Sequence, residues 1–149
     1  MRYTIVIAII SFIFLGCSKD KFSSVPKITY LSANSTTIVK NSLLQMKLSF
    51  TDAEGDLQDT IYIQKVVPNC IGGLRTLYYT VPNFPTIKNS KGEFIITLAN
   101  GNVQGFANLN LNPTCSGIND SCFFRFAVQD KAKNKSDTIV SEQIVFLAN

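Results

Sequence analysis

Polar and apolar positions alternate along most of this chain. In LQMKLSF, Leu44, Met46, Leu48 and Phe50 fall on one side and Gln45, Lys47 and Ser49 on the other, the period-two signature of a half-buried strand. TIYIQKV sets Ile61, Ile63 and Lys65 opposite Tyr62, Gln64 and Val66. RTLYYTV is rich in β-branched and aromatic residues, which suit a pleated surface. EFIITLA aligns Phe94, Ile96 and Leu98; CFFRFAVQD aligns Phe124, Phe126 and Val128, with Cys122 on their face; TIVSEQIVFL closes the chain. With an opening strand near Ile28, about seven strands are predicted, separated by clusters of Gly, Pro, Asn and Asp, and no segment carries a strong helical period. Short strands at this spacing predict an all-β, antiparallel sandwich.

The first residues break the pattern. Arg2 precedes an almost unbroken apolar run from Ile5 to Leu15, the layout of a secretory signal peptide. A membrane-crossing helix needs about 20 apolar residues, so the run is too short to span. In FLGCSKDK, Gly16 stands directly before Cys17 and the chain turns polar at once. This resembles the lipobox of bacterial lipoproteins, with Phe14 where leucine is usual. The resemblance implies that residues 1–16 are removed, that Cys17 carries the lipid, and that the protein is anchored in the outer membrane, facing the periplasm or the cell surface. Each buried methylene contributes about 0.8 kcal/mol, so two or three acyl chains on one residue make a durable tether. Residues 17–24 then form the lipidated cysteine and its linker, and residues 25–149 the domain. Ser18, Lys19, Asp20 and Lys21 are similar to the charged export tags of surface lipoproteins of the Bacteroidota.

Of 149 residues, 14 are basic and 10 acidic. Removing residues 1–16 takes away only Arg2 and leaves 133 residues with a net charge of +3. That length fits one domain with a real core, and the charge is too mild to imply nucleic acid.

Two loops carry the candidate chemistry. VQDKAKNKSDTIV resembles the terminal hairpin of bacterial Ig-like domains through Asp130, Ala132, Asn134 and Ser136, with Lys133 where glycine is common. Asn tolerates left-handed backbone angles, so Asn134 is expected to supply the turn geometry. FTDAEGDLQD resembles the acidic turn of cadherin-like domains. The resemblance is to an Ig-like or cadherin-like lipoprotein module without a tryptophan. In the acidic turn Asp52, Glu54 and Asp56 alternate, so their carboxylates are able to converge on one calcium ion, with Asp130 as the expected fourth ligand from the neighbouring turn. The spacing is not that of an EF-hand: counting from Asp52, glycine falls at the fourth place and Ile63 at the twelfth. The other reading of the same residues is a plain turn, whose default residues are Asp and Gly.

With Cys17 given to lipid, Cys70, Cys115 and Cys122 form an odd set in an oxidising compartment. One bridge and one free thiol are expected. Proximity puts Cys115 with Cys122 first; the alternative is Cys70 with Cys115, leaving Cys122 as a small buried hydrophobe. There is no histidine, which removes the commonest general base near neutral pH and every Ser-His-Asp or Cys-His arrangement. The chain is therefore read as a non-enzymatic binding or adhesion module of the envelope that contacts a protein or glycan. The alternative is a structural accessory subunit of a larger outer-membrane complex. Tyr78 and Tyr79 are candidate contacts, one facing out and one facing in.

Overall fold

The computed structural model describes residues 22–106, 114–115 and 117–148. The signal segment and Cys17 lie outside them. Nine strands follow in chain order: β1 (Lys27–Ala33), β2 (Thr37–Ile38), β3 (Ser42–Asp52), β4 (Thr60–Val66), β5 (Leu74–Thr80), β6 (Ser90–Asn100), β7 (Asp120–Gln129), β8 (Ile139–Val140) and β9 (Ile144–Phe146). Among the described residues there is no helix.

The strands form two sheets, ordered β1-β3-β6 and β2-β9-β7-β4-β5, with β8 also on β7. Chain segments cross between the sheets after β1, β2, β3, β5 and β6, and the crossings after β3, β5 and β6 follow the Greek-key path of an immunoglobulin-type sandwich. Seven strand paths match the alternation in the sequence. The excess over seven comes from β2, which leaves the β1 path to pair in parallel with β9, and from a break in the last strand. At that break Phe124 N–H donates to Ser141 Oγ (2.9 Å), and Ser141 N–H donates to Phe124 O (2.8 Å), so a side chain takes one rung of the ladder.

The inward faces are the predicted ones. Leu44, Met46 and Leu48 of β3 and Leu98 of β6 meet Ile63 of β4 and Phe124, Phe126 and Val128 of β7, all buried. Fully burying one such side chain contributes about 1.5–3 kcal/mol, so this apolar layer outweighs any single polar contact. Tyr79 packs against the core while Tyr78 is 66% exposed. The antiparallel β4–β7 register runs from Thr60↔Gln129 to Val66↔Phe123. It places the turns after β3 and β7 at one end of the sandwich, and the turn after β4 and the start of β7 at the other.

Candidate functional site

The acidic turn leaves β3 at Asp52, whose side chain is fully buried. Its Oδ2 accepts hydrogen bonds from Gly55 N–H (2.6 Å) and Asp56 N–H (3.0 Å) and so closes the turn. Gly55 has φ +73°, and a Cβ there would stand 2.1 Å from Ile87 O. Only glycine allows this approach. One carboxylate oxygen each from Asp52, Glu54 and Asp56 come within 4.8 Å of one another. Burial raises the Asp52 pKa above the usual carboxylate range, aided by the charges of Asp56 and Glu54 and opposed by the two N–H donors.

Three buried oxygens here accept no hydrogen bond from the protein: Asp52 Oδ1, Asp56 Oδ1 and Gln58 Oε1. Buried acceptors are nearly always satisfied. All three lie within seven residues of the chain. Gln58, not foreseen from sequence, is 6% exposed, and its Nε2 donates to Phe84 O (2.9 Å) and Gly55 O (3.4 Å). Its only sequence signal was a polar side chain beside the core residue Leu57.

The neighbouring turn does share this end: Lys131 N–H donates to Asp56 O (3.0 Å), and Lys133 Nζ pairs with Asp59 Oδ2 (2.6 Å). That pairing is the main force holding the Asp59 carboxyl below its usual range. Two expectations bear on this pair of turns. Asp130, the expected fourth ligand, stands outside the acidic group, and its oxygens accept from Asn134 N–H (2.7 Å) and Asn134 Nδ2 (2.9 Å). The left-handed residue is Lys133 (φ 73°), not Asn134; Asn134 spends its side chain on Asp130 instead.

Beside the acidic end the sandwich gapes. A cleft of about 580 Å³ opens between β5 and β6, lined chiefly by Phe50, Tyr79, Val81, Phe84, Phe94 and Ile96. The Phe50 ring lies 4.7 Å from Phe94 and 5.9 Å from Phe84 between centroids. A Cβ at Gly92 would meet the Phe50 ring at 2.8 Å, so glycine makes room for that ring. Among the described residues, no strand pairs with the outer edge of β5 or β6. Pro82, Asn83 and Phe84 rim the cleft, and the segment from there to Asn89 is held from the acidic turn: Gln58 Nε2 donates to Phe84 O, and Asn89 N–H donates to Ala53 O (2.8 Å).

The opposite end carries a covalent tie. Cys70 and Cys115 form the disulfide, with Cα atoms 6.0 Å apart, which corrects the expectation of Cys115 with Cys122. The Cys122 thiol points into the core, 1% exposed, whereas β4 and β7 bring Cys70 and Cys115 together just beyond the sheet. Burial pushes the Cys122 thiol up to about 12, so it is unreactive. Next to the bridge lies a buried ion pair: Lys65 Nζ to Asp120 Oδ2 is 2.5 Å, and the ammonium sits 4.3 Å from the Phe146 ring centroid. Asp120 also accepts from Thr114 N–H (2.6 Å). Burial alone would raise Asp120, but Lys65 and Thr114 outweigh it and hold the carboxyl below its usual range.

The outer face of the large sheet is mixed. Tyr62 and Tyr78 meet edge to face at 5.4 Å, with Lys135 over the Tyr62 ring and Arg125 beside Gln64.

No family model matches the chain, and no curated protein matches it. Among solved structures it is similar to the sporulation control protein Spo0M of Bacillus subtilis, at 11% identity and a TM-score of 0.48. The match covers 85% of this chain and 51% of that one, so this chain spans about half its length.

Proposed function

We propose that this protein is a non-enzymatic binding module of the bacterial envelope, tethered to the outer membrane through lipid on Cys17, that receives an extended segment of a partner protein. The observation that carries the reading is the apolar cleft between two unpaired strand edges. A free edge offers a row of backbone donors and acceptors, and a neighbouring apolar slot accepts alternate side chains of a strand added to it. The cleft volume lies within the range of binding sites, about 300–1,000 Å³. The chemistry beside it supports binding more than catalysis: the chain has no histidine, the free thiol is buried, and the buried lysine is spent on Asp120. An accessory subunit docking through a flat apolar sheet is the weaker reading, because Gln64 and Arg125 interrupt the outer face.

Selection of extended peptides from a random display library against the full chain tests the cleft. Enriched peptides should lose at least ~10-fold in affinity to Phe84→Ala and Tyr79→Ala and remain unaffected by Tyr78→Ala on the opposite face. Loss on Tyr78→Ala alone would move the site to the outer face and sink the cleft reading. Intact mass of the native membrane protein tests the tether: a chain beginning at acylated Cys17 is expected, and one retaining residues 1–16 would refute it.

A further inference from the structure

We infer that Asp52, Glu54, Asp56 and Gln58 form a calcium site that fastens the rim of the cleft. The resemblance to acidic turns suggested a cation; the orphaned oxygens argue for it independently. Asp52 is fully enclosed and Gln58 nearly so, yet Asp52 Oδ1 and Gln58 Oε1 receive no donor from the protein, and Asp56 Oδ1 is equally unpaired. All three are acceptors. One cation satisfies several such oxygens together.

The donor set fits calcium. Carboxylates and an amide oxygen are hard ligands, and calcium takes 6–8 oxygens at about 2.3–2.6 Å. Acidic oxygens gathered within 4.8 Å of one another are close enough to share one such ion. Magnesium demands a near-ideal octahedron at about 2.0–2.1 Å and gives up its waters reluctantly, so a site of several protein oxygens favours calcium. Glu54 is exposed, so it is able to swing onto the ion and leaves the remaining positions to water. Lys133 of the neighbouring turn is bound to Asp59, outside the acidic group.

The ion would act on its surroundings through contacts already in place. Gln58 is the link: its oxygen is free for the ion while its nitrogen holds Phe84 O. Gly55 presses on Ile87, and Ala53 O receives Asn89 N–H. Ordering the turn therefore orders residues 82–89. The inference stands whatever the cleft binds.

The test uses the full chain in detergent, stripped with a chelator and titrated with calcium chloride, then separately with magnesium chloride. One calcium per chain is expected, binding at about 1 mM or tighter, with an unfolding midpoint raised by several degrees. Backbone hydrogen exchange across residues 82–89 should slow on binding. Glu54→Gln and Asp56→Asn should each weaken calcium at least ~10-fold and abolish the slowing. Asp137→Asn, an exposed acid in the neighbouring turn, should change neither. Glu54→Gln alters an exposed side chain, so its fold is expected to survive even if Asp56→Asn unfolds. No heat and no shift at about 1 mM calcium, an equal response to magnesium, or equal losses in Asp137→Asn and Glu54→Gln would each overturn the site.

Discussion

Two aspartates are fully enclosed at opposite ends of the sandwich, and the protein treats them in opposite ways. At the start of β7, Asp120 is met by the Lys65 ammonium and Thr114 N–H, beside a disulfide. At the end of β3, Asp52 has one oxygen held by the backbone and the other with no donor, facing two more acids. Charge is neutralised at the first end and accumulated at the second. A buried carboxylate oxygen without a donor costs stability. Among the described residues such unpaired acceptors lie only at the acidic end, next to the open cleft.

The contrast is sharpest in mutants. Lys65→Ala strips the partner from Asp120 and should cost about 3–5 kcal/mol by chemical denaturation, because a lone buried charge remains; a cost near zero would erase the distinction between the ends. Replacing Cys70 and Cys115 with serine opens a loop of 45 residues and should cost about 2–4 kcal/mol, read from the denaturation midpoint with and without reductant.

Asp52→Asn should act in the opposite direction, raising calcium-free stability at neutral pH by up to about 1 kcal/mol. The pH dependence separates the two acids further. Asp52 has a raised pKa in the folded state, so its ionisation disfavours folding above that value; the advantage of Asp52→Asn should shrink as pH falls from there towards the ordinary carboxylate value. Asp120 has a lowered pKa, so its contribution is full above the ordinary value and is lost as pH falls through the folded one. Denaturation of each asparagine variant between about pH 3 and pH 7 reads both signs. The smallest effect is Lys133→Gly. It removes an exposed ion pair, which contributes little, but frees a left-handed position from its Cβ, and should raise the thermal midpoint slightly.

The strands were legible because alternation reports burial directly: each residue from Leu44 to Phe50 falls on the side its polarity predicts. Lys65 was legible only as an inward position. Its partner lies 55 residues away, and nothing in the local pattern of β7 marks Asp120 as the head of a buried pair. The disulfide found was the second of the two expected pairings, and the order was wrong for a similar reason. Cys115 and Cys122 are near in sequence, but β7 turns the Cys122 side chain inward, while the antiparallel pairing of β4 with β7 returns Cys70 to Cys115. The acidic turn was visible as three alternating acids. That Asp130 would be consumed by Asn134, and that Gln58 would enter from the core side, depended on side-chain directions that composition does not encode.

The parallel contact of β2 with β9 bears on traction. A pull drawing β2 back toward the N-terminal side and β9 forward toward the C-terminal side slides the two past each other. The bonds Val145 N–H to Thr36 O (2.8 Å) and Leu147 N–H to Ile38 O (3.0 Å) lie across that direction, so both must yield together instead of peeling one by one. Asn100 braces the seam from the other sheet by donating to Ile38 O (3.1 Å). Forced unfolding is governed by the barrier to opening, so this fold meets heat with its phenylalanine core and tension with a seam two residues long.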